Sequence, residues 1–263
     1  MKALLKKELR LTRKLLLIWM GMILLLSAFA YFEYLSLRDS LGELSELINT
    51  FPKILMIMFG VGEELTSPLG WYGCIYFWVA ILNYSYAVYL GISCVAKEKA
   101  QGTAEYLFTK PVRRDRIVAA KALSSVCNLF LLTAFSGLCN YFMSILPLGG
   151  WGQEGMAIAT TVGMFLTETV LFVLALLVSS LVKSYKRAVQ LGTGILLGFY
   201  GIYITAEYLE SPLLYYLTPL KYFDVYAIAR EGFSLVFLSL TAVIVLVSVA
   251  MAERSWTKRE IGI

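Results

Sequence analysis

Six long apolar segments dominate this sequence of 263 residues. Each runs for about 20 residues or more, the length that an α-helix needs to cross the ~30 Å hydrocarbon core of a bilayer. Since a bilayer offers no water to the backbone, such segments satisfy their peptide groups as helices. The sequence therefore predicts an all-α integral membrane protein with six transmembrane helices. The predicted spans are 15–37, 72–95, 119–146, 156–182, 187–208 and 232–252.

The basic residues are distributed unevenly between the two ends of these spans. If the N-terminus is cytoplasmic, 19 of the 23 Lys and Arg residues lie on the cytoplasmic side, and Arg38, Lys53, Lys221 and Arg230 lie outside. Cytoplasmic segments of membrane proteins are enriched in Lys and Arg. We therefore expect both termini to be cytoplasmic, in a multi-pass protein of a prokaryotic plasma membrane. This asymmetry also explains the net charge of +5, and no nucleic acid partner is needed.

The segments that flank the first span have their own helical patterns. Residues 1–14 combine basic side chains with leucines, a pattern that predicts an amphipathic helix in the headgroup layer of the membrane lipid. This helix would lead directly into the first span; a simple basic anchor that sets the topology is the alternative. In the outer loop 38–71, apolar residues at helical spacing predict a short helix on the membrane surface.

Motifs for catalysis and for metal binding are missing from the sequence. It contains no histidine, its four cysteines have no C-x-x-C spacing, and no G-x-x-x-x-G-K-[ST] motif occurs. The last motif supplies the backbone N–H groups and the lysine that hold nucleotide phosphates. We therefore expect no catalytic residue, no metal and no cofactor bound by this chain, and no ATPase activity of its own.

A charged segment, 97–121, lies between the second and third predicted spans. Glu98 and Glu105 are seven residues apart, so they share one face if the segment is helical. Gly102 can end a helix, and Pro111 favours an extended conformation of the residue before it. An ordered short helix that stops at Pro111 is one interpretation. A solvated connection, the usual role of a run of charges, is the other.

The same segment resembles the loop between the second and third spans of ABC-2 type transporter permeases. The residues that carry the resemblance are Glu98, Gly102, Thr103, Glu105, Pro111, Val112 and Arg114. The basic opening at 4–9, the outer segment 211–213 and the ending 258–261 are also similar to this family. The resemblance therefore covers most of the chain.

The resemblance implies a single permease domain, residues 1–263, that assembles with an identical or related second permease chain. It also implies a cytoplasmic coupling helix within 97–121 that contacts ABC ATPase subunits, which bind the ATP and Mg. The implied function is that of the transmembrane subunit of an ABC exporter. An ion-gradient-driven secondary transporter without an ATPase partner is the alternative, although such proteins usually show internal repeats and several intramembrane polar sites.

Four residues inside the spans are candidates for transport or helix packing. Glu168 is an intramembrane carboxylate, which is costly and marks either a transport pathway or a hydrogen-bonded link between helices. Asn83 lies among tyrosines in the second span, which suits the lining of a cavity. Gly194 and Gly198 form a G-x-x-x-G motif, which lets helix backbones approach closely, within the chain or across a dimer.

Overall fold

The computed structural model describes residues 2–37, 39–94, 114–149, 153–182 and 184–258, and these residues form helices and turns without strands. Six helices are long and apolar enough to cross a membrane. In chain order they are α1 (Lys2–Leu37), α4 (Pro68–Ser93), α5 (Arg114–Asn140), α6 (Glu154–Leu181), α7 (Tyr185–Leu209) and α11 (Leu235–Lys258). The short helices are α2 (Leu41–Asn49), α3 (Lys53–Phe59), α8 (Pro212–Tyr215), α9 (Pro219–Tyr222) and α10 (Val225–Glu231). The predicted all-α fold with six candidate spans is confirmed.

Several helix ends differ from the predicted spans. The helix α1 is continuous from Lys2 to Leu37, with no end near residue 14; the position of residues 1–14 in a headgroup layer stays a prediction. The sixth long helix begins at Leu235 rather than at 232, because Gly232 has a φ of 76° and ends α10. The described part of the predicted outer loop contains two short helices, α2 and α3, with Pro52 in an extended conformation before the second.

The helix α5 is followed by one turn that is wider than an α-helix and one that is tighter. A π-helical turn spans Tyr141–Ile145 and a 3-10 turn spans Leu146–Leu148. Pro147 lies in this last turn, and its missing N–H prevents a regular helix from continuing. Gly149 then takes a left-handed conformation with a φ of 77°, so the third spanning segment stops close to the predicted residue 146.

Three of the long helices, α4, α5 and α6, form the core of the bundle. The helix α6 packs along α4, and α5 packs against both. The fully buried Tyr72, Leu132 and Phe172 come from these three helices in turn. The remaining long helices lie around this core: α1 packs on α5 and α4, α7 on α4 and α6, and α11 on α6. We call α1, α7 and α11 the peripheral helices.

A glycine allows the backbones of two core helices to approach closely. A Cβ atom built on Gly91 of α4 would lie 2.5 Å from the carbonyl oxygen of Phe172 and 2.7 Å from the Cβ of Ala175, both on α6. Such distances leave no room for a side chain, so the two backbones meet here directly.

The short helices α3, α8, α9 and α10 gather at one end of the bundle, which we call the capped end. Tyr200 of α7 donates a hydrogen bond to the carbonyl oxygen of Met58 in α3, at 2.9 Å. The other end, where α4 stops and α5 starts, flanks residues 95–113, and we call it the loop end.

Candidate functional site

Buried polar side chains join the core helices to one another. The Asn83 amide on α4 donates to Ser136 Oγ on α5 at 3.0 Å. Thr133 Oγ1 on α5 lies 2.7 Å from Glu168 Oε2 on α6. We call these four residues the polar core; each is at most 2% exposed. Two hydrogen-bonded pairs therefore connect α4 through α5 to α6 inside the bundle.

Two tyrosines of α4 make a further connection to α6 nearer to the capped end. Tyr72 Oη lies 2.6 Å from Thr160 Oγ1, and Tyr76 donates to the Thr160 carbonyl oxygen at 2.9 Å. Thr160 in turn donates its own hydroxyl to the carbonyl of Met156. Each of the three core helices is thus hydrogen-bonded to both of the others.

The structure buries both polar residues that the sequence singled out in the spans. Glu168 is fully buried, and its Oε1 has no hydrogen-bond partner among the described residues. Asn83 is also fully buried, and its amide also donates to the carbonyl oxygen of its own helix at Val79. Each of the two residues is hydrogen-bonded to α5, at positions one turn apart.

Their partners on α5 were missed by the sequence analysis. Thr133, Ser136, Asn140 and Ser144 are separated by three or four residues, so they lie on one face of the segment. All four are at most 2% exposed. Polar residues at helical spacing in an apolar segment were the signal that could have identified this face.

At the loop end, most of the predicted coupling residues lie outside the described part of the chain. These are Glu98, Gly102, Thr103, Glu105 and Pro111. Arg114 is the first residue of α5. The predicted break at Pro111 and the predicted coupling helix both lie outside the described residues and stay predictions.

The described residues that border this segment link three helices together. Cys94 Sγ, just after α4, lies 3.3 Å from Ser125 Oγ of α5. On the other side of α5, the Asn128 amide donates to Thr12 Oγ1 of α1 at 2.7 Å. Lys121 of α5 also forms an ion pair with Glu8 of α1 at 3.8 Å. The chain therefore enters and leaves residues 95–113 through helices that are bonded to each other and to α1.

At the capped end, an open crevice of about 260 Å³ lies between α3, α7 and α10. Its lining includes Tyr203, Glu207, Lys221, Asp224, Tyr226 and Arg230. A smaller pocket shares Tyr203, Asp224 and Tyr226 with this crevice and is also lined by Tyr76 and Tyr84 of α4. None of the crevice residues was predicted as a site, because they come from segments that are far apart in the sequence.

Lys221 stands between two carboxylates in the crevice. It forms an ion pair with Glu207 and lies 3.5 Å from Asp224 Oδ2. Burial lowers the pKa of Lys221, but Asp224 and Glu207 together raise the pKa above its ordinary value. The lysine is therefore a cation with compensating charges on both sides.

Tyr226 joins residues 60–62 of the predicted outer loop to α10. Its hydroxyl donates to the Gly60 carbonyl oxygen at 2.8 Å and accepts from the Gly62 N–H at 3.0 Å. Burial raises the pKa of Tyr226, so the hydroxyl keeps the hydrogen that it donates. The Asp224 carboxylate caps α10 by accepting from the N–H groups of Tyr226 and Ala227, which fixes the direction of the tyrosine ring.

Basic residues of the capped end all take part in ion pairs where the structure describes them. Lys53 pairs with Glu210, and Arg230 pairs with Glu63. A hydrogen bond from Lys53 lowers the pKa of the Glu210 carboxyl, and Glu63 raises the pKa of Arg230. The few basic residues at this end are thus matched by carboxylates across different segments.

The two glycines of the G-x-x-x-G motif face open space. Apart from the neighbouring residues and backbone of α7 itself, no atom of the described chain lies within 4 Å of a Cβ built on Gly194 or Gly198. Gly192, in contrast, meets Ile92 of α4. Close packing at Gly194 and Gly198 within one chain therefore has no contact to support it, and packing across a dimer stays a prediction.

This arrangement defines an α-helical membrane protein with a hydrogen-bonded three-helix core, a capped end and a loop end. The family model described as ABC-2 family transporter protein matches residues 2–252, and the chain belongs to this family. The resemblance seen in the sequence is thereby confirmed. Such chains are membrane components of ABC transporters, are generally not catalytic and typically work with ATPase subunits. A comparison with curated proteins gives no match.

Proposed function

We propose that this chain is the permease subunit of an ABC exporter in a prokaryotic plasma membrane. Cytoplasmic ATPase subunits bind ATP and Mg and hydrolyse the nucleotide, and this chain converts their motion into translocation of a substrate. The distribution of Lys and Arg supports an orientation in which the loop end is cytoplasmic and the capped end faces outward. Membership of the ABC-2 family supports the ATPase partner.

The observation that carries this proposal is the position of residues 95–113 between two core helices. These residues connect the end of α4 to the start of α5. The bond between Asn83 and Ser136 joins these two helices farther along the bundle, and Glu168 extends the connection to α6. A push on the connecting segment is therefore passed to three helices together, which suits a coupling element.

The first helix takes part in the same movement. The contacts of Glu8 with Lys121 and of Thr12 with Asn128 hold α1 to α5 as far as the middle of that helix. Displacement of the start of α5 would therefore carry the first helix with it. The proposed link between the ATPase and the core helices therefore includes α1 as well as the segment 95–113.

We also propose that the complex contains two permease chains, either identical or related. Six spans without an internal duplication look like half of a translocation pathway, and the open glycine face of α7 supports a contact between chains. The second chain would cover Gly194 and Gly198, where this chain supplies no neighbour.

Charge reversal in the predicted coupling helix tests the role of the ATPase partner. In the double variant Glu98→Lys, Glu105→Lys, we expect the ATPase to be lost from the purified complex, or to hydrolyse ATP without transport. Membrane insertion should be unchanged. The matched control is Glu43→Lys, Glu46→Lys, because both glutamates are exposed on α2, and this variant should keep the ATPase bound and coupled.

Two outcomes would contradict the proposal. One is full ATP-driven transport by the variant with both coupling carboxylates reversed. The other is transport by the purified chain alone, driven by an ion gradient in liposomes without any ATPase. The second outcome would establish the alternative, a secondary transporter.

A further inference from the structure

The contact between Glu168 and Thr133 fixes where one hydrogen atom lies. Thr133 Oγ1 is 2.7 Å from Glu168 Oε2 and 2.8 Å from the carbonyl oxygen of Leu129. Both distances are those of good hydrogen bonds between oxygen atoms. A threonine hydroxyl carries a single hydrogen, and a backbone carbonyl carries none.

An ionised Glu168 would leave this arrangement one hydrogen short. Its carboxylate and the Leu129 carbonyl would compete for the hydroxyl hydrogen of Thr133, and one pair of acceptor oxygens would face each other without a hydrogen between them. If Glu168 carries a proton on Oε2, the acid donates to Thr133 and Thr133 donates to Leu129. Only the neutral acid satisfies both contacts at once.

The surroundings of Glu168 favour the same state. The side chain is fully buried, and its second oxygen, Oε1, has no hydrogen-bond partner among the described residues. No basic side chain in the described part of the chain pairs with it. The titratable groups of α4 that interact with it electrostatically are the phenols of Tyr76 and Tyr84, which supply no positive charge. A buried carboxylate without a cation and with an unpartnered oxygen is far more costly than a neutral acid.

We propose that Glu168 is a neutral carboxylic acid that donates a hydrogen bond from α6 to Thr133 of α5. In this role it is a positioning residue that fixes the relative rotation of two core helices. It is not a charge on the transport pathway. The inference does not depend on the ATPase partner or on the direction of transport.

Infrared spectroscopy of the full-length chain in lipid nanodiscs reports the protonation state directly. At neutral pH, the difference spectrum between the wild type and Glu168→Gln should contain the C=O stretching band of a protonated carboxylic acid, and this band should shift in D₂O. The matched control is Glu210→Gln, which removes an exposed carboxylate paired with Lys53. That variant should leave the acid band in place. Loss of carboxylate bands instead of the acid band in Glu168→Gln would overturn the proposal.

Thermal unfolding separates the neutral acid from a charged residue. The amide of Glu168→Gln can donate to Thr133 as the acid does, so its unfolding midpoint should stay near that of the wild type. Glu168→Leu should lower the midpoint because it cannot donate. A Gln variant as unstable as the Leu variant would contradict the proposal.

A second change keeps the test independent of how well Glu168 variants fold. Thr133→Val removes the acceptor but leaves the acid in place, so the infrared acid band should persist and move to the frequency of an acid without that acceptor. An unchanged band frequency in Thr133→Val would show that Glu168 does not donate to Thr133, and this result would also overturn the proposal.

Discussion

The core helices and the peripheral helices of this transporter subunit use the same kinds of residue in different ways. In the most apolar stretch of each helix, 61% of the residues of α4 are buried, whereas only 11% of those of α7 are buried. Asn83 of α4 bonds to another helix, whereas Thr205 of α7 bonds to the backbone of its own helix. The glycine Gly91 of α4 is in tight contact, but Gly198 of α7 is open. The contacts among the core helices therefore determine how the bundle packs, and the peripheral helices present apolar surface to lipid or to another chain.

The largest difference in stability between core and peripheral helices is expected when a glycine in each is replaced by leucine. Gly91→Leu places a side chain where the Phe172 carbonyl already lies. Overpacking of this kind typically costs about 1–3 kcal/mol. Here the clash is with a backbone atom, which cannot move aside as a flexible side chain can. We expect a strong loss of folded chain, measured as the unfolding midpoint in detergent and as yield from membranes.

Gly198→Leu is the matched variant on α7, where a Cβ atom has no atom of another helix of this chain within 4 Å. The single chain should keep its unfolding midpoint, and association with the second chain should weaken. The mass of the purified complex measures that association. An equal loss of stability in both variants would remove the distinction between core and peripheral helices, and an intact complex in Gly198→Leu would place the contact between chains elsewhere.

A smaller difference is expected between two tyrosines, one on the capped end above the core and one on a peripheral helix. Tyr226→Phe loses the hydrogen bonds to Gly60 and Gly62, at about 0.5–1.5 kcal/mol each. Amide hydrogen exchange in residues 60–67 should become faster. Tyr208→Phe, at an exposed position of α7, should change neither exchange nor stability. Unchanged exchange in Tyr226→Phe would show that the outer loop is held by its ion pairs instead.

The smallest effect concerns one hydrogen bond between two core helices. Asn83→Leu keeps a similar side-chain size and removes the bond to Ser136, which retains its own bond to the Leu132 carbonyl. Interhelical hydrogen bonds in membranes are worth about 0.6 kcal/mol on average. We expect a loss of this size in a denaturation series in mixed micelles. Thr205→Val on α7 is the control and should have no measurable effect. A loss of equal size there would mean that burial does not determine how much a polar side chain contributes to the free energy of unfolding.

Much of the architecture could be predicted because it depends on local composition. The six long apolar segments gave the helices. The predicted break at Pro111 lies outside the described residues, which resume at Arg114 in α5. The details of helix ends were less predictable. Gly232 shortened the sixth spanning segment at its start through its positive φ of 76°, and hydropathy carries no signal for a single φ angle.

The candidate site could be predicted only in part. Glu168 stood out because a carboxylate is rare in an apolar segment, but its partner Thr133 is 35 positions away on another helix. The sequence motif at Gly194 and Gly198 suggested close packing and has none within the chain, whereas Gly91 lies outside any G-x-x-x-G motif and is in tight contact with the backbone of α6. The crevice at the capped end brings together α3, α7 and α10, which no local pattern connects.

By itself, the sequence determined the helical fold, the number and order of the spanning segments and the family, because these follow from the length and composition of apolar segments and from the cost of exposing peptide groups to lipid. Only the tertiary structure decided which face of each helix is buried and which polar groups meet. The physical reason is that lipid tails are as apolar as a protein core. Hydropathy therefore cannot distinguish a side chain that faces lipid from one that faces another helix, and the rotation of each helix about its axis is set by contacts such as Gly91 with Phe172 and Glu168 with Thr133.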